Sequence, residues 1–305
     1  EATNKASVQF YQVEDPANIE LPVKPNKPYL LRLGDGGEWS AGGYINSIDG
    51  SSVKVNGQTP ELSTLGSEWT FEGDYANGFK IINVKSKKVL GINTVTLANA
   101  GGEGNTPIQM YENTENPGEN ISILWDVTGN TFVENGFTIN VKGSIRDRAN
   151  YRGTNLAFWT KGMGGGSALR IYDSVELPLT QVGEKYYATT YLPFAVTIPE
   201  DVNAYTATLN ENNVALNAVT GVLPAETAVI LEGNAATASF ALTSENSTVN
   251  KGNMLGTLEA KTIDAGTTSY LILGRKGDAL GFYLPKETMT SIAGNRAYFD
   301  ISANN

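Results

Sequence analysis

Two aromatic side chains stand where strand periodicity turns them away from a core, and a ring in that position can stack on the C–H face of a sugar. In Pro107-Ile108-Gln109-Met110-Tyr111, the apolar Ile108 and Met110 share one face and Tyr111 takes the other. In Asn155-Leu156-Ala157-Phe158-Trp159, Leu156 and Phe158 point inward and Trp159 outward, beside the run Gly162-Met163-Gly164-Gly165-Gly166. Trp159 is equally suited to covering a hydrophobic gap or packing on a neighbouring domain. Trp39, beside Asp35, offers a further independent ring. The segment Arg146-Asp147-Arg148-Ala149-Asn150-Tyr151-Arg152 gathers three of the seven Arg. Arg makes bidentate pairs with carboxylates, as an anionic sugar would require, although such clusters are commonly solvated loops with weak internal ion pairs.

Absences exclude more than these presences establish. Among 305 residues there is neither His nor Cys, so there is no Ser-His-Asp or Cys-His nucleophile, no His-ligated zinc, no disulfide and no redox pair. What chemistry remains must rest on carboxylates, Lys, Tyr, Ser or Thr. The spacing of the 32 acidic residues picks out no catalytic pair. Gly34-Asp35-Gly36-Gly37 and Gly101-Gly102-Glu103-Gly104 open no helix and cradle no phosphate, and no calcium-loop spacing occurs. No cofactor or metal is therefore expected. A net charge of −10 argues against binding a nucleic-acid backbone. No apolar run approaches the roughly 20 residues of a membrane-spanning helix. Without a signal peptide at Glu1, the sequence reads as a mature or trimmed chain.

The elements that would hold such rings are short strands. Ser52-Val53-Lys54-Val55, Phe137-Thr138-Ile139-Asn140-Val141 and Tyr270-Leu271-Ile272-Leu273 are β-rich and closed by Gly- and Asn-rich turns. Asn56-Gly57, Asn77-Gly78 and Asn135-Gly136 are hairpin signals. The one short helical turn expected lies at Lys286 to Ile292. The chain reads as all-β.

An internal repeat organises the first half. Asn77-Gly78-Phe79-Lys80-Ile81-Ile82-Asn83-Val84 is echoed by Asn135-Gly136-Phe137-Thr138-Ile139-Asn140-Val141-Lys142, with a looser copy from Pro28-Tyr29-Leu30. Each unit closes on a strand: Ser67-Glu68-Trp69, Ile123-Leu124-Trp125 and Ala168-Leu169-Arg170. Three units of roughly fifty residues, each of about four strands, form a closed pseudo-threefold barrel without exposed sheet edges.

On these residues, the region from 27 to 176 resembles a ricin-type β-trefoil, the fold of many carbohydrate-binding modules. The family's closing Gln-x-Trp survives only as Trp69 and Trp125, which are expected in the core, and Arg170 stands in the third unit. The resemblance implies that each unit can supply an early acid or amide, an aromatic ending the middle strand, and a late Asn. Unit two then offers Asn93, Tyr111 and Asn120. Unit three offers Asp147 or Asn150 and Trp159, with Ser167 at the late position, and unit one gives no complete set.

Residues 1–26 hold a strand and a Pro-spaced linker. Because Ala6-Ser7-Val8-Gln9-Phe10-Tyr11 resembles the later closing strand, they are either padding for the trefoil or the tail of an upstream domain. After Leu177-Pro178 the chain turns Ala-, Thr- and Val-rich, and residues 177–305 read as an antiparallel β-sandwich of seven or eight strands. Tyr187 to Pro199 and Leu223 to Leu231 are similar to a C-terminal module of secreted or surface proteins from gut Bacteroidales-like bacteria, often beside glycan-processing domains. The resemblance implies a bacterial chain that is secreted or held at the outer cell surface. The leading expectation is a non-catalytic carbohydrate-binding or surface-recognition protein, an accessory region whose partners are a glycan and an upstream catalytic domain. A structural or adhesive module without a sugar site is the alternative, and a carboxylate-dependent glycosidase is a weaker third.

Overall fold

The computed structural model describes residues 23–34, 42–47, 53–56, 67–99, 107–130, 136–144, 148–152, 155–159, 164–211, 213–277 and 279–302. The first half forms three units of strands. Unit one holds β1 (Tyr29–Leu33), β2 (Gly43–Asn46), β3 (Lys54–Asn56) and β4 (Glu68–Asp74). Unit two holds β5 (Gly78–Asn83), β6 (Val89–Asn93), the short helix α1 (Thr94–Asn99), β7 (Gln109–Tyr111), β8 (Ile121–Ser122) and β9 (Trp125–Asn130). Unit three holds β10 (Gly136–Val141), β11 (Arg148–Arg152), β12 (Asn155–Trp159) and β13 (Leu169–Tyr172).

Their pairing closes a ring. β1 pairs β4, β4 pairs β5, β5 pairs β9, β9 pairs β10, β10 pairs β13, and β13 returns to β1. Each unit thus gives its first and last strand to a six-stranded barrel. The middle strands form the hairpins β2–β3, β6–β7 and β11–β12. Those hairpins meet one another, β12 pairing β3 and Pro107 bridging Ala157, and so cap one end. A closed ring with three capping hairpins is a β-trefoil, as the repeat implied.

Alternation along the strands decides what fills it. Leu31, Leu33, Phe71, Phe79, Ile81, Val127 and Ile139 from the barrel meet Ile45, Leu90, Ile92, Ile108, Leu156 and Phe158 from the hairpins in one core. Trp69 and Trp125 lie within it, fully buried. Each indole Nε1 donates to a hairpin carbonyl, Trp69 to Ile45 O at 2.8 Å and Trp125 to Leu90 O at 3.0 Å. Both the large apolar area and the one polar atom of each ring are therefore satisfied.

The register corrects the third unit. Tyr29 opposes Trp69, Phe79 opposes Trp125, and Phe137 opposes Leu169. Leu169, not Arg170, is therefore the third counterpart of the two indoles, and it is fully buried. Side chains alternate with period two, so a one-residue slip turns the guanidinium out and the leucine in. By the same register Ala149 matches Ile45 and Leu90, so the hairpin residue shrinks where the barrel residue does.

The described residues of the second half form three larger sheets and one two-stranded ladder, Lys261–Thr262 with Ser291–Ile292. The first contains Ser174–Pro178, Thr237–Leu242, Val196–Thr197 and Val222–Leu223. The middle sheet runs Thr180–Val182, Lys185–Thr190, Val229–Gly233, Val202–Asn210 and Asn213–Val219. The outer sheet runs Leu255–Thr257, Arg296–Asp300, Tyr270–Lys276 and Ala279–Tyr283. The middle sheet is covered on both faces: Val229 and Leu231 pack toward the first sheet, and Ile230 toward Phe299 and Ala297 of the outer one. Its central strand Val229–Gly233 is accordingly apolar on both sides, as two-sided burial requires. Lys286 to Ile292 forms no helix. Ile292 is buried and pairs with Lys261, because burying it in a small cluster with Ile263 and Tyr298 outweighs a single helical turn.

The two halves share apolar contact. Strand Ser174–Pro178 crosses the sequence boundary at 176, and Leu30, Tyr44 and Tyr172 pack against the core of the first and middle sheets. Lys27 Nζ bonds Asp173 at 2.5 Å. Beside this junction lies a cleft of about 320 Å³ lined by Glu68, Glu72, Lys87, Asn113, Thr243 and other residues. Burial pushes the Glu68 carboxyl up to about 8, with Lys87 pulling weakly the other way.

The folded chain thus holds the Glu68 proton to higher pH than the unfolded chain does. Stability is full below about pH 4.5 and falls as pH rises toward about 8. Allowing for partial solvent screening, the loss should be about 2–3 kcal/mol. Urea unfolding across this window should show that slope in the wild type and lose most of it in Glu68→Gln, which should be the more stable protein at pH 9.

Candidate functional site

The register that aligns the barrel also aligns the capping hairpins. Tyr111 opposes Val89 on β6, Trp159 opposes Arg148 on β11, and Asn56 opposes Tyr44 on β2. Tyr111 and Trp159 are therefore threefold equivalents. Their neighbours Ile108, Met110, Leu156 and Phe158 are all buried, while both rings are half-buried at the outer face. The outward orientation expected from alternation is what the structure has.

Unit two holds Asn93 on β6, Tyr111 on β7 and Asn120 just before β8. Val89, Gly91 and Asn93 share the outer face of β6, while Leu90 and Ile92 enter the core. The Tyr111 ring lies over Gly91, where an added Cβ would sit 2.6 Å from Tyr111 Cδ2 and 3.0 Å from Ile123 Cγ2. The ring rests against Ile82, Val89 and Ile123, and its hydroxyl reaches Gln109 Oε1 at 3.4 Å. Burial raises its pKa, so it stays a neutral phenol.

Asn93 opposes Ile121 across β6 and β8, and its Oδ1 accepts from Thr96 N at 2.9 Å and Thr96 Oγ1 at 3.2 Å. This is the cap that starts α1, a helix the sequence analysis did not anticipate; the Asn-Thr-Val-Thr spacing was its signal. The cap uses Oδ1 as the acceptor. Asn120 is exposed at φ +60°, and its carbonyl accepts from Thr94 N and Oγ1 at 2.8 and 3.0 Å. Asn93 Oδ1 and the Asn120 carbonyl thus both hold the first turn of α1.

Unit three is built differently. Asn150 is buried, and its Nδ2 donates to Ser167 Oγ at 2.8 Å, pinning the turn Gly165–Ser167. The side chain that the sequence offered for ligand contact is thus engaged inside the fold. Register makes Asn46 of unit one and Gly91 of unit two its equivalents, and Ser67 and Ile123 those of Ser167. Where units one and three bury an Asn and a Ser, unit two has Gly and Ile, and the Tyr111 ring occupies the space. The counterpart of Asn93 in unit three is Arg152 by position, two residues beyond Asn150 on β11. Asp147, Trp39 and Asp35 lie outside the described residues, as do the strand expected at Ala6 and the glycines Gly101 to Gly104.

Among the described residues no group of three or more acidic side chains is placed to hold a metal ion, and no helix is long and apolar enough to cross a membrane. The arrangement offers ring faces and amide or carbonyl groups, which position hydroxyls but move no protons.

No protein-family model matches the chain, and no curated protein matches it in sequence. Among solved structures, the designed three-fold symmetric protein ThreeFoil is similar at a TM-score of 0.35 and 14% identity, over 48% of this chain and 98% of that one. The exo-β-1,3-galactanase 1,3Gal43A from Clostridium thermocellum is similar at 0.36 and 16% identity. That similarity covers 49% of this chain and 31% of the galactanase.

The close approach at Gly91 is directly testable. Gly91→Ala should push the Tyr111 ring off its seat and cost about 1–3 kcal/mol in urea unfolding. Gly129→Ala, which meets nothing within 4 Å, should stay within about 0.5 kcal/mol of wild type.

Proposed function

We propose that the protein is a non-catalytic carbohydrate-binding protein, whose trefoil presents sugar platforms at Tyr111 and Trp159. The observation that carries this reading is their equivalence: two units independently place an aromatic ring at the same outward position of a capping hairpin. In this reading the Tyr111 ring meets a sugar's apolar face, and the amides of Asn93 on β6 and Asn120 in the turn before β8 meet its hydroxyls. Such sites are shallow, and affinity grows when two act on one polysaccharide. The ligand is a glycan, and the chain acts as an accessory region beside a catalytic domain, in a protein secreted or displayed at a bacterial cell surface. The C-terminal sheets belong to the surface-associated module they resemble in sequence.

A structural or adhesive role is the second reading, favoured by the apolar junction of Leu30, Tyr44 and Tyr172 with the C-terminal core. The two readings part on a glycan array. The intact chain should bind at least one neutral glycan, Tyr111→Ala and Trp159→Ala should each weaken binding about tenfold, and the double variant should abolish it. No binding by the intact chain, or binding untouched in the double variant, would leave the adhesive reading standing.

A further inference from the structure

The C-terminal half holds a guanidinium without a counter-charge. Arg296, at the start of the last strand, is more than half buried, and its Nη1 donates to Thr189 O at 3.0 Å. The strand ends around it are fastened: Ala297 N donates to Thr189 Oγ1 at 3.1 Å, and Asn295 Nδ2 to Tyr191 O at 3.0 Å. Among the described residues no carboxylate pairs with Arg296, and burial is the sole influence on its proton affinity. A cation taken out of water without a partner is costly, and the surrounding hydrogen bonds hold it there. With Nη1 engaged, the Nε–Nη2 edge is the planar pair that a carboxylate meets side-on.

Arg296 lines a cavity of about 230 Å³ together with Arg275, Thr180, Thr189 and Tyr187. Among the described residues no acidic side chain lines it, although the chain as a whole carries a net charge of −10. An opening on the other side of Arg296, of about 290 Å³, includes Glu176 and is the less favourable approach for an anion. The arginine cavity continues through Tyr187, Leu273 and Leu280 into a groove of about 700 Å³ between the middle and outer sheets. The groove is lined by Tyr205, Phe282 and Tyr283, with Glu211 and Glu232 as its charges among the described residues. Glu232 is oriented by Asn203 Nδ2 at 3.2 Å and stands opposite Tyr187 in the sheet. One end of the cleft therefore suits an anion. The remainder offers aromatic faces with carboxylates that accept from hydroxyls.

We infer that this cleft is a second saccharide site, separate from the trefoil, which binds an acidic oligosaccharide with a uronic carboxylate on Arg296 and Arg275. Its adjoining neutral rings stack along Tyr187, Tyr205 and Tyr283, and their hydroxyls donate to Glu232 and Glu211. Neither the fold of the first half nor its aromatic platforms enter this assignment.

The test is calorimetric titration of the full chain with trimers of galacturonate, glucuronate and mannuronate, and with the methyl ester of each, which keeps the ring and removes the charge. At least one acid trimer should bind, its ester at least about tenfold more weakly. Arg296→Lys, which keeps the charge but not the fork, should lose about tenfold. The exposed Arg275→Ala should lose about threefold without disturbing the fold, and Tyr187→Ala should weaken binding where Tyr187→Phe does not. The Tyr111→Ala/Trp159→Ala double variant should bind the acid trimer as the wild type does, so this site stands or falls apart from the trefoil. Three results would each overturn the assignment: no acid trimer binding, ester and acid binding equally, or loss in the trefoil double variant with Arg275→Ala unaffected.

Discussion

The trefoil depends on a bond that crosses between its two layers. An indole from a barrel strand fills the core and gives its N–H to a carbonyl of the hairpin above, twice, at Ile45 and at Leu90. Barrel closure and cap placement are coupled through that contact. A hairpin shifted by one residue would bury a carbonyl without its donor and a large ring without its cavity. The third unit keeps the volume match with Leu169 over Ala149 and dispenses with the hydrogen bond.

Once the hairpins are seated, the outer positions are free to vary, and this is where the units differ. Two retain a buried Asn beside a Ser, while the other replaces the pair by Gly91 and Ile123 and lets Tyr111 lie down in the space. The ring is held on an apolar seat with one face outward, a pre-organised surface that loses little entropy on contact. Trp159 reaches the same position over different neighbours. Threefold architecture thus supplies three equivalent addresses, and local substitution decides what each displays.

The C-terminal half reaches its cleft by another route. A sheet buried on both faces has no solvent side, so where the outer sheet diverges from it, a groove with apolar and aromatic walls is left. Arg296 on the outer sheet and Glu232 on the middle sheet stand at different parts of the cleft, fastened by main-chain and amide hydrogen bonds. Polar groups on rigid strands in such a cleft are fixed before any ligand arrives.

How far the residues alone reach can be told from particular positions. Alternation and repeat were enough for the all-β class, the three units, the buried indoles at Trp69 and Trp125, and the outward turn of Tyr111 and Trp159, because strand periodicity is local and two-fold. Local pattern could not place Leu169 in the core instead of Arg170, since both residues extend the same strand and only pairing with Phe137 sets the face. Nor could it turn Asn150 inward, because its partner Ser167 lies seventeen residues away. The third sheet and the lone Arg296 stayed hidden for the same reason. A counter-charge, or its absence, is a property of everything that folds around a residue, and that is decided only when distant strands come together.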